Sequence, residues 1–283
     1  SVSVKRGGAA VPAFGKTLYD YTTLATLLQP CAVGNAARCA TAASLGLVGG
    51  ASAAAQAADA AAKLVANGWE PESALLNASH AGVGILVATT YASAYTRSSV
   101  ADRTCGYTLN ASTPAALAAM FATGSGVPAM VNADVEQGVT CLRNLQTGSD
   151  ALSQKLQAGV DEVRRNGNLR GKPAIIVHGR SDALLPVNHT SRPYVALNKS
   201  VEGNGSKLSY IEVTNANHFD AFLPIPGLDT QLVPLHVYMN RALDAMWAHL
   251  TTGTALPPSQ VVRTVPRGGT AGAAPAITAA NVP

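Results

Sequence analysis

Residues 172–194 read KPAIIVHGRSDALLPVNHTSRPY, and residues 209–222 read SYIEVTNANHFDAF. Ala174 to Val177 is a short, largely β-branched run between Pro173 and Gly179, which predicts a strand buried on both faces of a parallel sheet. Leu208 to Val213 predicts a second strand. The first strand runs into Gly179-Arg180-Ser181-Asp182, the second into Asn217-His218-Phe219. In doubly wound α/β folds, catalytic and binding groups gather beyond the carboxyl ends of the strands. A carboxylate and then an imidazole, at successive strand ends late in the chain, follow the Ser…Asp…His order of α/β-hydrolase triads. In that arrangement the carboxylate fixes the imidazole tautomer, and the imidazole moves the nucleophile's proton. Asp182 and His218 are therefore the candidate acid and base. The plainer readings are a turn-forming or capping aspartate and a hydrogen-bonded loop histidine.

A helix from Arg192 to Val201, with Pro193 in its first turn, is predicted between the strands. A last helix sets Leu235, Met239, Leu243, Met246 and Leu250 on one stripe and stops near Gly253. Strand, helix, strand, helix implies a parallel pair joined by a right-handed crossover. Upstream, four helices are expected: Ala51–Asn67, Ser79–Arg97, Thr113–Thr123, and one capped by Ser149 with Leu152, Leu156, Val160 and Val163 on one face. The chain thus reads as a mostly helical cap with connecting segments (1–170), a core segment (171–252) and a Pro/Gly/Ala-rich, irregular or mobile tail (253–283). Two strands are too few for a stable parallel sheet. The remaining strands are expected upstream of Ser1 or on another chain.

With 283 residues, 47% hydrophobic, the chain is long enough for one large domain. The net charge of +4 comes without a Lys/Arg run, which argues against nucleic acid as a partner. No run approaches the ~18 uninterrupted apolar residues of a membrane span. The start, SVSVKRGGAAV, lacks the apolar core of a signal peptide, so either export is not needed or the sequence begins inside a longer precursor. Cys31, Cys39, Cys105 and Cys141 suggest two disulfides, 31 with 39 and 105 with 141, in an oxidising compartment. Four buried free thiols, or a metal site lacking the usual Cys-x-x-Cys spacing, are the alternatives.

The nucleophile is harder to place. G-x-S-x-G occurs nowhere. Ser79 in NASHAG resembles an elbow only superficially, because Asn77 stands where a small residue is needed. Ser125 in TGSGVP reads as a turn. A serine outside this chain is expected. His178 ends the first strand, where it could line the site or hydrogen-bond in the core, the core reading being preferred. His80, His189, His236 and His249 show no paired ligand spacing, so no metal or cofactor is implied. Arg180 and Arg192 flank the acid loop; bidentate capture of a substrate carboxylate competes with simple solvent exposure.

The stretches GGAAVPAFGKTLYDYTTLATLLQPCA, ADRTCGYTLNA, FATGSGVP, IIVHGRSDALLPVNHTSRPYVALN and NANHFDAFLP resemble the bacterial D-(−)-3-hydroxybutyrate oligomer hydrolases, a likeness running to about Leu256. The resemblance implies an α/β-hydrolase fold, incomplete here: the last strands of the parallel sheet plus a largely helical cap. It implies an exported serine esterase that cleaves 3-hydroxybutyrate dimers and short oligomers to monomer through an acyl-serine intermediate. Asp182 and His218 would be acid and base, and the serine would lie in an upstream segment of the same precursor. No cofactor is implied, and the partner is a small hydroxyacid ester. Secretion or a periplasmic location follows. The alternatives are an esterase of this fold for polymer or for feruloyl- or tannin-like aryl esters, or a non-catalytic accessory chain.

Overall fold

A computed structural model of the chain describes residues 28–70, 91–99, 102, 141 and 144–283, with the strand backbone of 4–6 and 9–11. The chain divides into two units, one formed essentially by residues 3–67 and 77–164, the other by 68–76 and 165–283.

In the first unit, β1 (Val4–Arg6) pairs antiparallel with β2 (Ala9–Val11). Helices α1 (Gln29–Ala32), α2 (Ala36–Ser44) and α3 (Ala53–Ala66) pack together, and a Cys31–Cys39 disulfide joins α1 to α2. Cys141 is disulfide-bonded too; its expected partner, Cys105, lies outside the described residues. Alanine carries α3, the Ser52 hydroxyl accepts from the Ala55 N–H, and Leu64 and Ala60 are its buried face. Helix α4 (Ala151–Glu162) is capped by Asp150 rather than Ser149. One Asp150 carboxylate oxygen accepts from both Leu152 N–H (2.9 Å) and Ser153 N–H (3.1 Å). An anion also suits the positive end of the helix better than a hydroxyl does. Residues 91–96 are helical, the end of the predicted 79–97 helix; its earlier part and the expected 113–123 helix lie outside the described residues.

The second unit is mixed α/β and built on a parallel sheet of three strands in the order β3 (Ala174–Gly179), β4 (Leu208–Val213), β5 (Gln260–Val262). β3 and β4 run in register from Ala174 opposite Leu208 to Gly179 opposite Val213. β5 adds beside Ile211 to Val213. The last strand is a correction: it arises within the segment expected to be an irregular tail, where Val261 and Val262 supply a short β-branched run that the Pro/Gly-rich surroundings obscure. β3 is half-buried rather than covered on both faces, and among the described residues no strand pairs with its outer edge.

Helices α5 (Ser191–Glu202) and α6 (His236–Thr252) complete this unit, α6 stopping at Gly253 with φ +73°. Alternation along the strands separates two environments. Val177, Ile175, Ile211 and Val213 belong to an apolar cluster with Ala216, Val233, Leu235 and Tyr238. His178, Tyr210 and Glu212 take the intervening positions and carry the polar network described below. The Met239, Leu243 and Leu250 stripe predicted on the last helix, with Trp247 beside it, is exposed, Trp247 by 71%.

Gly179 brings the two strand ends together. A Cβ on it would stand 2.4 Å from the Ala216 carbonyl oxygen, well inside contact distance. Gly179→Ala must push apart the loops carrying residues 182 and 218. Urea unfolding of the variant should show a loss of about 1–3 kcal/mol, the usual cost of overpacking.

Candidate active site

Asp182 is 3% exposed, a degree of burial that a carboxylate tolerates only with partners. The chain leaves β3 through backbone bonds from Arg180 N–H to Val213 O (2.7 Å) and Ser181 N–H to Ala216 O (3.0 Å). Trp69, fully buried, donates its indole N–H to Ala183 O at 3.1 Å and fastens the loop from the opposite side. One Asp182 oxygen, Oδ1, accepts the N–H groups of Leu184 (2.9 Å) and Leu185 (2.8 Å). The plain turn-forming reading of Asp182 is therefore realised by one of its oxygens. The other oxygen faces two imidazoles.

His218 Nδ1 lies 2.8 Å from Asp182 Oδ2. Among the described residues nothing is hydrogen-bonded to His218 Nε2, and the ring borders a pocket of about 330 Å³ with Val177, Phe219, Ala221, Leu235 and Met239 and with the Asp220–His236 pair. Phe219 packs edge-on against the ring, centroids 4.3 Å apart. Asp220 ties the same loop to the start of α6: its carboxylate accepts from Leu235 N–H and His236 N–H, both at 2.8 Å, and meets His236 Nδ1 at 2.6 Å. The spacing of 36 residues between Asp182 and His218 thus closes into one contact.

His178 hydrogen-bonds in the core, as one of its two expected readings has it, and does so against Asp182: Nε2 lies 3.3 Å from Asp182 Oδ2 and 3.1 Å from Leu185 O, while Nδ1 lies 2.7 Å from Ser191 Oγ. Burial works to raise the Asp182 carboxyl, but the contacts with His178 and His218 and the Leu185 N–H outweigh it and hold the group well below the usual carboxylate range. The i, i+4 spacing of His178 and Asp182 across a strand end was the available signal.

Behind His178 the polar face continues. Ser191 Oγ is 2.9 Å from the Tyr210 hydroxyl, which is 2.9 Å from Glu212 Oε2. Arg192 grips Glu212 bidentately, Nε to Oε2 at 2.9 Å and a terminal N–H to Oε1 at 2.6 Å, and donates to Glu70 at 2.5 Å. Arg180 donates to Glu70 at 3.3 Å and its Nε sits 3.3 Å from Glu212. Neither arginine is the simple exposed charge expected, and neither offers a spare charge to a substrate carboxylate, because both guanidiniums face Glu70 and Glu212. Glu70 stands 122 residues before Arg192 and carried no signal in the sequence.

Of the remaining candidates, His189 packs on Trp69 and His249 contacts Thr254 O. Ser79, Ser125 and His80 lie outside the described residues. Among the described residues no three His, Cys, Asp or Glu side chains group to hold a metal ion, and no helix is long and apolar enough to cross a membrane.

The sequence model of the 3HB-oligomer hydrolase family matches residues 1–136 and 131–283, and the chain belongs to that family. It is 49% identical to the D-(−)-3-hydroxybutyrate oligomer hydrolase of Paracidovorax citrulli, covering 100% of this chain and 49% of that protein. Against the proteins of the same name in Cupriavidus necator and Burkholderia vietnamiensis it is 49% and 48% identical, covering 47% of each. The chain therefore spans about half the length of the curated relatives it matches. No solved structure matches it.

A carboxyl whose folded-state value is depressed stabilises the fold above its unfolded value and loses that contribution as pH falls through the folded one. For Asp182 the loss begins below about pH 4, the unfolded value for aspartate. In urea unfolding at pH 7, Asp182→Asn should be less stable than wild type by roughly 1–3 kcal/mol, since it leaves buried hydrogen-bond donors without their acceptor. The gap should narrow steadily below about pH 4. A gap that stays constant to pH 2 would show that the carboxylate's charge contributes nothing.

Proposed function

We propose that this member of the 3HB-oligomer hydrolase family contributes the acid and the base of a serine-type carboxylic ester hydrolase acting on 3-hydroxybutyrate dimers and short oligomers. One observation carries the reading. Asp182 meets His218 at Nδ1, at the carboxyl ends of two neighbouring parallel strands, and leaves Nε2 without a partner among the described residues at the edge of a pocket. A carboxylate on Nδ1 fixes the tautomer in which Nε2 is the basic atom.

On this reading Nε2 of His218 removes the proton from a serine hydroxyl as it attacks the ester carbonyl. The imidazolium so formed is stabilised by Asp182, and its proton then passes to the departing 3-hydroxyl oxygen. Water repeats the sequence on the acyl-serine and frees the second hydroxyacid. The apolar lining beside His218 suits the methyl and methylene groups of the hydroxybutyrate chain, and the relatives' shared name supports that substrate. The mixed α/β unit with its parallel strands is the last part of an α/β-hydrolase sheet in this reading. The nucleophile and the further strands come from an upstream segment of the same precursor, added at the edge of β3 that no strand pairs with among the described residues. The half-length coverage of the relatives supports this. The Cys31–Cys39 disulfide supports a secreted or periplasmic location.

The test is His218→Ala in the protein at the full length of its relatives. Turnover of the 3-hydroxybutyrate dimer should drop by roughly 10⁴-fold or more with the fold intact, as loss of a triad member does. Near-normal turnover ends the assignment. Hydrolysis of aryl esters or polymer but not of the dimer by the wild type moves the substrate, and inactivity on every ester makes the chain an accessory subunit.

A further inference from the structure

The hydrogen bonds behind Asp182 can be counted. Three contacts run in series from His178: Nδ1 to Ser191 Oγ (2.7 Å), Ser191 Oγ to Tyr210 Oη (2.9 Å), and Tyr210 Oη to Glu212 Oε2 (2.9 Å). Each needs one hydrogen, and the two hydroxyls supply two. The third comes from one end of the chain, from a protonated His178 Nδ1 or from a protonated Glu212. At the other ring nitrogen there is no choice. Nε2 faces the Leu185 carbonyl oxygen, which only accepts, so Nε2 carries hydrogen in either case.

The ends differ in what surrounds them. Glu212 is gripped bidentately by Arg192, with Arg180 Nε at 3.3 Å, and a proton there would displace a guanidinium contact. His178 faces the buried Asp182 carboxylate.

We infer that His178 is a standing imidazolium, a positioning residue that donates from both ring nitrogens and shares Asp182 Oδ2 with His218. Tyr210 fits this direction of donation. Burial, and after it the neighbouring Glu212 carboxylate, push its phenol well above the usual range, so it keeps the hydrogen it gives to Glu212. The role assigned to His178 toward His218 rests on the proposed hydrolase reading; its protonation state does not.

A fixed cation on Asp182 has a consequence for the base. A carboxylate facing one imidazole alone favours the charged form of that ring. With His178 already charged, the carboxylate orients His218 while favouring its charged form less, and like-charge repulsion between the rings acts in the same sense.

The experiment uses the protein at the full length of its relatives, labelled with ¹⁵N-histidine, and long-range ¹H–¹⁵N correlation spectra from pH 5 to 9, His178→Gln serving to assign the signal. At pH 7, His178 should show two protonated ring nitrogens. One protonated and one bare nitrogen overturns the inference whatever the variants do. Tyr210→Phe removes the hydrogen given to Glu212 and frees Ser191 to donate to His178. At pH 7 His178 should then show one bare ring nitrogen, and the His218 signals should move toward the protonated form. His218 signals unchanged while His178 is neutralised overturn the role. Loss of turnover in His218→Ala is independent of both results, so the two readings fail separately.

Discussion

Everything in the second unit is arranged around the cost of burying one carboxylate. An unpaired charge at the depth of Asp182 is expensive enough that such groups take up protons instead. Here four polar hydrogens converge on it: two backbone N–H groups on one oxygen, two imidazoles on the other. Each comes from a part of the fold that must be in place first. The N–H groups require the tight turn after β3, His178 requires β3 itself, and His218 requires β4 and its loop to end alongside.

The parallel register makes this convergence possible. Gly179 and Val213 are paired, so the two strands end level, and both connecting loops leave on the same side. The absence of a side chain on Gly179 lets the 216–217 backbone come close enough for the imidazole to reach. The two-residue period then sorts chemistry by face. One face builds an apolar cluster around Ile211, Val213 and Val233; the other builds a hydrogen-bonded, charge-paired network from Asp182 to Glu70. Such a network is rigid because each member's position satisfies two neighbours at once.

The second unit also presents features consistent with a larger sheet. β3 is half-buried, and the α6 stripe of Met239, Leu243 and Leu250 is exposed with Trp247 beside it. Apolar surface of that extent on one helix is unusual for a finished face. On the proposed reading it is covered by the polypeptide that brings the serine.

Local events were legible in the chain alone: a strand ending near Val177 and another over 208–213, the helix stop at Gly253, the 31–39 disulfide, and which acid and which imidazole follow the two strands. These are legible because periodicity, capping and short cysteine loops act over a few residues. The sequence reading misjudged Ser149 against Asp150 at a helix cap, where neighbouring residues compete for one role. It missed β5, which is too short to show a period. The company each charge keeps was set by the folded arrangement. Whether Arg192 is free or bound depends on Glu70, and whether His178 is core or site depends on Ser191, Tyr210 and Glu212. Those partners lie on separate elements, and electrostatic pairing follows distance in space, to which separation along the chain is no guide.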